Sequence, residues 1–408
     1  MSSSVKEVVR KRIALTGNEA AAWAMKQINP DVVAAYPITP QTEIMQIFAD
    51  YVADGEVDTE LVTVESEHSA MSACIGSEAA GARTMTATSS QGLALMWEML
   101  YIAAGLRLPI VMPMVNRALS SPINIHCDHS DSMGARDTGW IQLYAENAQE
   151  VYDNVIQAIR IAEHPDLLLP VMINLDGFII SHALEPVEAF TNEEVRAFIG
   201  KHKPAYSLLD VDNPITVGAL DLTDYYFEHK RSEVEPMLHA TDVIEQVAAD
   251  FAQKFGRRYE LFDEYWMEGA DFAIVVLGST AGTAKVVVDE LRNRGIRAGL
   301  IKLRVFRPFP HKQLADVLSG LKAVAVMDRS EGMAGMGGPV FHEVRSALYD
   351  YEPRPAIVNY VYGLGGRDIT LNHINTVYED LMDISRNGKH AKGRTTVGDL
   401  VTYLGVRE

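Results

Sequence analysis

Three residue types capable of chemistry follow apolar, β-branched runs in the first third of this 408-residue chain. Thr39 comes after VVAAY, Glu67 after LVTVES and Arg117 after PIVMPMV. Each run reads as a strand, and in an open α/β sheet ligands collect beyond the carboxyl ends of the strands. The three side chains are therefore expected to converge on one rim. A glutamate there can accept or hold a proton. A guanidinium suits a carboxylate, because its planar fork binds two oxygens. Each residue also has a plainer reading. Glu67 opens a small-residue helix, where a carboxylate is favoured by the helix dipole. Arg117 would equally serve in a structural Asp–Arg pair. A second arginine, Arg136, lies in the polar loop ARDTGW.

Other motifs carry less. HCDHSD (126–131) gathers His, Cys and Asp, but its spacing fits neither a zinc site nor an EF-hand. It reads as a hydrogen-bonded loop near a site, and no metal is expected. GSTAGT (278–283) and GMAGMGGP (332–339) sit at strand-to-helix turns, where helix N–H groups can hold an anion. Neither is a dinucleotide fingerprint or a P-loop, so both are read as structural turns.

The elements that position these residues alternate. VVAAY is a strand, and Thr39 reads as N-cap with Pro40 at the first helical position. HSAMSACIGSEAAG is a helix closing on glycine. ARTMTATS is a strand, and QGLALMWEMLYIAAG one strong amphipathic helix. LPIVMPMVN is a strand whose prolines favour its ends or a sheet edge, and LLLPVMINLDG is another. Alternation of this kind implies a parallel sheet with right-handed crossovers. Residues 186–268, rich in charge and aromatics, read as connecting helices and loops packed outside. A second α/β unit starts at Asp271, with FAIVVLG, IRAGLIKLRVF and KAVAVMDR as strands. The expected domains are 1–250 and 251–408.

Composition narrows the function. Net charge is −19, a poor match to nucleic acid or anionic membranes. No apolar stretch is long enough to span a bilayer. The opening MSSSVKEVVRKR lacks an apolar core, so no secretory signal is expected. Two cysteines, Cys74 and Cys127, cannot ligate a four-cysteine cluster. They fit a reducing cytoplasm, and any redox centre is expected on another chain or in a soluble cofactor.

In order along the chain, YPITPQTE, ESEHSA, ATSSQGLALM, NRALSSP, DHSDSMGARDTGW and DGFIISH resemble the α subunit of 2-oxoacid:ferredoxin oxidoreductases, with pyruvate:ferredoxin oxidoreductase the nearest type. VLGSTAGTAK, LRVFRPFP and YGLGGRDIT extend the likeness to nearly the whole chain. The resemblance implies a thiamine-diphosphate-binding, pyrimidine-type parallel-sheet domain followed by a transketolase C-terminal-like α/β domain. In the family the diphosphate-binding domain, with its Gly-Asp-Gly motif and Mg²⁺ ligands, lies on a β subunit. No Gly-Asp-Gly occurs here. Iron–sulfur [4Fe–4S] clusters would lie on partner subunits, β and a ferredoxin-like δ, with a γ subunit completing the assembly.

By the same likeness, Glu67 matches the glutamate that hydrogen-bonds N1′ of the aminopyrimidine. Thr39 and Arg117 match the residues that hold the substrate carboxylate. Pro37 and Ile38 line the thiamine pocket, and Arg136 falls among substrate-binding positions. The implied reaction is oxidative decarboxylation of a 2-oxoacid with CoA, pyruvate first, electrons leaving to ferredoxin. The loop at 119–131 leaves aromatic or branched acids open, phenylglyoxylate or 2-oxoisovalerate, with NAD as final acceptor. Readings of another class are a non-catalytic partner subunit, a self-sufficient transketolase-like transferase and a nucleotide-binding Rossmann protein. The missing diphosphate motif opposes the second and the missing glycine fingerprint the third.

Overall fold

The computed structural model describes residues 11–333, 335–387 and 400–407, so the opening basic segment lies outside the described residues for its first ten positions. A seven-stranded sheet runs, edge to edge, through Val305–Arg307, Ile141–Tyr144, Val171–Asp176, Val111–Asn116, Thr84–Met85, Val32–Ala35 and Glu60–Thr63. All its pairs are parallel except the first, where Val305–Arg307 lies antiparallel to Ile141–Tyr144. A six-stranded sheet runs through Val401–Leu404, Ala356–Tyr362, Ala323–Asp328, Phe272–Leu277, Ala298–Leu303 and Phe262–Tyr265. It is parallel except for its last strand. The central strands of both sheets are buried along their whole length, as expected where helices cover both faces.

The two halves are tightly joined. The run IRAGLIKLRVF, expected as one strand, is divided between the sheets. Ala298–Leu303 belongs to the second sheet, and Val305–Arg307 crosses to the edge of the first. Arg304, at the crossing, is wholly buried and donates to Asn154 (2.9 Å) and Gln157 (3.1 Å) of the helix Ala148–Ala162. Beside it the buried Lys302 bonds Glu150 of the same helix and pairs with Asp263 at 2.7 Å. These carboxylates hold the Lys302 ammonium charged despite its burial.

Three further expectations need correction. The proline-bearing strand Val111–Asn116 is central, not at an edge. Its neighbour Thr84–Met85 ends early. Beyond it, Thr86 and Thr88 donate singly to Val111 and Pro113, and the missing N–H of Pro113 falls on that broken side. QGLALMWEMLYIAAG forms two helices, Ser90–Leu95 and Trp97–Gly105, and its outer side leaves Leu95, Trp97 and Ile102 about half exposed. The stretch 186–268 is not merely outer packing. Glu185–Ala189 pairs with Lys11–Leu15, and Tyr226–Phe255 is a 30-residue helix. Its second half buries Val243, Val247, Phe251 and Phe255 against the first domain.

Candidate active site

Arg117 directly follows the central strand and is 7% exposed. Its Nη1 donates to the Thr39 carbonyl at 2.8 Å, and its Nε to the Asn124 carbonyl at 3.1 Å. Two loops from separate strand ends thus meet at one guanidinium. Among the described residues no hydrogen bond is made by Nη2, so one nitrogen of the fork is left over. Among the described residues no acidic side chain bonds this guanidinium, so it does not sit in a structural Asp–Arg pair with any of them. Asp131 instead accepts its backbone N–H at 2.8 Å.

Thr39 is exposed, Ile38 half-buried and Pro37 exposed. Thr39 is not the N-cap. The Ile38 carbonyl accepts from the N–H of Gln41 and of Thr42, which inserts a turn, and the helix begins at Thr42. That turn puts the Thr39 carbonyl where Arg117 reaches it.

Glu67 is the first residue of the helix Glu67–Ala79, after the N-cap Ser66, which accepts from the Ser69 N–H. A simple dipole-favoured cap would stay in water, whereas Glu67 is 7% exposed. The helix Ser90–Leu95 presses on it. A Cβ on Gly92 would lie 2.9 Å from Glu67 Oε1 and closer still to Thr88 Oγ1, so glycine is required there. Thr88 Oγ1 and Ser89 Oγ are buried with no protein hydrogen-bond partner. Buried hydroxyls of this kind await an acceptor or donor from a ligand or water. A glutamate wedged beside two unpartnered hydroxyls suits a polar heteroaromatic ring.

The two parts are coupled through Ser90 and Asp131. Ser90 Oγ donates to the Ala118 carbonyl at 2.6 Å, and Ser90 N–H to Asp131 Oδ2 at 3.1 Å. Asp131 also accepts from Asn116 Nδ2 (3.0 Å) and Ser132 N–H (2.7 Å). Burial pushes its carboxyl up to about 6 against those four N–H donors. Asp131 therefore ties the Glu67 side of the site to the Arg117 side. Sequence reasoning missed it, although it stands in the HCDHSD loop.

Arg136 makes no hydrogen bond to Arg117, Thr39 or Glu67 among the described residues. It lines a cleft of about 670 Å³ between the domains, together with Ala118–Pro122, Asn124, Met133 and, from the second domain, Ser330–Met333 and Leu364–Gly365. Its nearest acid is Asp137 at 3.6 Å, and its carbonyl accepts from Arg307.

The HCDHSD loop is hydrogen-bonded as expected. Cys127, His129 and Asp176 lie close enough to hold a cation, but a guanidinium is already among them. Arg329 Nη1 bonds Asp176 Oδ2 at 3.1 Å and contacts Cys127 Sγ at 3.7 Å. His129 Nε2 meets Asp176 Oδ1 at 2.7 Å. Burial alone would raise the Asp176 carboxyl, but Arg329 and His129 outweigh it and hold the group well below the usual range.

The same carboxylate takes the N–H and hydroxyl of Ser279 in GSTAGT. Asp328 likewise takes the Val340 and Phe341 N–H groups beyond GMAGMGGP. The GSTAGT turn thus holds a carboxylate of this chain, and the helix after GMAGMGGP holds another, as in the structural reading of these turns.

Residues 23–249 match the family described as pyruvate flavodoxin/ferredoxin oxidoreductase, thiamine diphosphate-binding, and residues 270–374 match pyruvate:ferredoxin oxidoreductase core domain II. The chain belongs to this family. It is an α subunit of the 2-oxoacid:ferredoxin oxidoreductase type, one subunit of an enzyme complex. It is 56% identical over 402 residues to pyruvate synthase subunit PorA of Thermotoga maritima, covering 98% of this chain and 100% of that one. It is 46% identical over 376 residues to ketoisovalerate oxidoreductase subunit VorA of Pyrococcus abyssi, covering 92% and 94%.

Among solved structures, the α subunit superposes on 2-oxoglutarate:ferredoxin oxidoreductase from Magnetococcus marinus, determined with 2-oxoglutarate, coenzyme A and succinyl-CoA bound, at a TM-score of 0.69. Identity there is 21%, and the match covers 91% of this chain but 65% of that one, so the likeness shows the fold. The fold also matches an inactive tetramer of a split-gene transketolase, at a TM-score of 0.54 and 13% identity. The thiamine-binding domain and the transketolase C-terminal-like domain are thereby shown. No helix among the described residues is long and apolar enough to cross a membrane.

Proposed function

We propose that this chain supplies the pyrimidine half of a thiamine-diphosphate site, completed by a β subunit, for CoA-dependent oxidative decarboxylation of pyruvate. The observation that carries this is the junction at Arg117. One guanidinium is fixed on the Thr39 and Asn124 carbonyls with a nitrogen to spare, across a shared network from the wedged carboxylate of Glu67. The relation to PorA supports pyruvate as substrate.

When bound, thiamine diphosphate supplies the carbon nucleophile and the electron sink. Glu67 would share a proton with N1′ of the aminopyrimidine, and the absence of a Cβ at Gly92 leaves its carboxylate the room it occupies. The hydroxyls of Thr88 and Ser89 are available to the same ring's polar edge. Pro37 and Ile38 supply its apolar wall. Arg117 and Thr39 orient the substrate carboxylate. That charge is lost as CO₂, so the grip must position the acid without over-stabilising it. Pyruvate and the CoA thiol give acetyl-CoA, carbon dioxide, a proton and two electrons. Cys74 and Cys127 are buried thiols whose ionisation burial opposes, Cys74 being pushed up to about 12. The electrons therefore leave through clusters on partner subunits, β and a ferredoxin-like δ beside γ, toward ferredoxin. Mg²⁺ belongs with the diphosphate on β, and the whole complex operates in the cytoplasm.

A branched substrate, 2-oxoisovalerate, is the second reading. In Pyrococcus abyssi the VorA relative is 46% identical and the PorA relative 44%, so likeness at that distance does not separate the two acids.

An anaerobic 2-oxoacid panel on the purified native complex, with thiamine diphosphate, CoA and a viologen dye, tests both. Reduction with pyruvate in preference to 2-oxoisovalerate supports the first. The reverse preference moves specificity to the branched acid and keeps the mechanism. No reduction with any acid, in a complex replete with clusters, overturns the reading.

A further inference from the structure

The turn Gly363–Gly366 in YGLGGRD belongs to the second domain, yet it makes its contacts in the first. The Gly365 carbonyl accepts from Asn124 Nδ2 at 3.0 Å, and its N–H donates to Asp128 Oδ2 at 3.2 Å. The Gly366 N–H donates to the Cys127 carbonyl at 2.6 Å. Both glycines have positive φ, 60° and 79°, which glycine adopts without strain. A Cβ on Gly365 would collide with Asn124 Nδ2, and one on Gly366 with His126 Cβ. Two glycines are therefore what lets this turn lie flat on the loop 124–128. A second brace follows, the His129 N–H donating to the Arg329 carbonyl at 2.8 Å.

The same loop carries the back of the arginine. Asn124 is the hinge between the two. Its carbonyl accepts from Arg117 Nε at 3.1 Å. Its Oδ1 accepts from the His126 N–H at 2.7 Å, and its Nδ2 reaches the Gly365 carbonyl. The Ala118 N–H closes the loop on the His126 carbonyl at 3.0 Å. We infer that Asn124 is a positioning residue for Arg117, and that the Gly365–Gly366 turn of the second domain sets the arginine's grip through it.

This rests on the reading of Arg117 as the carboxylate-binding residue. The second domain then does more than stabilise the fold. It fixes the angle at which the guanidinium meets a 2-oxoacid. Misplacing a binding group by about 1 Å can cost on the order of 10²-fold in rate. Loosening the brace should act mainly on substrate capture.

The test compares Asn124→Ala, Asn124→Asp, Arg117→Ala, Arg117→Lys and Arg117→Lys/Asn124→Ala in the assembled complex. Asn124→Asp keeps the acceptor for His126 but sets a carboxylate against the Gly365 carbonyl, so it breaks the Asn124–Gly365 bond and leaves the turn's bonds to Asp128 and Cys127 in place. Both Asn124 variants are expected to raise the KM for the 2-oxoacid about tenfold, with kcat within about threefold and the KM for CoA unchanged. Lysine has no Nε–H to give to Asn124, so in the Arg117→Lys background Asn124→Ala should add less than about twofold.

A wild-type KM in an assembled Asn124→Ala complex overturns the inference. So does an Asn124→Asp variant that behaves as wild type, a fully additive double variant, or failure of both Asn124 variants to assemble. Arg117→Ala separates the two levels. If it cripples kcat/KM while Asn124→Ala is silent, only the brace falls. If Arg117→Ala is itself silent, the reading of the site falls with it.

Discussion

At the residue scale, the proposed roles give Glu67 a proton to handle and Arg117 a charge, and the two should fail differently. Glu67→Gln keeps the shape and removes the charge. We expect kcat to fall by about 10²–10⁴-fold with little change in the KM for the 2-oxoacid, measured in the assembled complex, because proton transfer is lost and substrate contacts remain. A raised KM for the 2-oxoacid with kcat intact would contradict the role. Gly92→Ala is the indirect version. Its Cβ meets Glu67 Oε1 and Thr88 Oγ1, so kcat should fall while the purified complex keeps its composition. The positions of Thr39, Glu67 and Arg117 beyond strand ends were legible in the sequence because each follows a strand-like run, and strand ends are where such sheets gather ligands. Asn124, Asp131 and Thr88 were not legible in those roles. What they do depends on carbonyls and N–H groups brought from far along the chain, and the type and spacing of the residues do not encode those partners. Arg136, singled out by its motif, lines the cleft between the domains together with Ala118 and Asn124.

At the element scale, the Asp176 junction decides how the halves stay registered. One carboxylate, at the end of Val171–Asp176, receives His129 from its own domain, and Arg329 and Ser279 from the other. Its folded-state pKa is depressed, so its contribution is fully present above the unfolded value of about 4 and is lost as pH falls toward the folded one. Asp176→Asn removes a partner from a buried charge pair, a change that costs about 3–5 kcal/mol. The denaturation midpoint of the variant should therefore lie well below wild type at neutral pH, and the gap should narrow as pH drops below about 4. A gap that is constant with pH would assign the loss to packing alone. Element order was readable because hydrophobic runs alternate with helical spacing. The division of IRAGLIKLRVF between two sheets was not, since both pieces are equally apolar and only the buried Arg304 marks the crossing. The break after Leu95 escaped for a related reason. Its outward residues are as apolar as its inward ones, so the pattern carries no turn signal.

At the scale of the molecule, that outward face is one of the apolar surfaces that the described residues leave uncovered. Leu95 and Trp97 are 51% and 49% exposed, on helices that also press Gly92 onto Glu67. The apolar face thus lies on the short helix pair whose Gly92 packs against Glu67, on the neighbouring helix Glu67–Ala79. Apolar side chains grouped beside a site, in a chain whose relatives are named as subunits, belong against a partner. Burying such a residue is worth about 1.5–3 kcal/mol, and a charge placed there stays unpaired once covered. Trp97→Glu should therefore weaken assembly of the native complex, read as free α subunit by gel filtration. Activity should fall in proportion to the α subunit released, because the fraction still assembled keeps its Glu67 and Arg117 intact. Full assembly with lost activity would place Trp97 in the site itself, and full assembly with full activity would free this face of any partner. The chain expressed alone should show no 2-oxoacid-dependent dye reduction at any thiamine diphosphate concentration, since it holds the residues for the ring and the carboxylate but no Gly-Asp-Gly segment for the diphosphate. Activity from the isolated chain would mean that a second diphosphate-binding solution exists within these 408 residues.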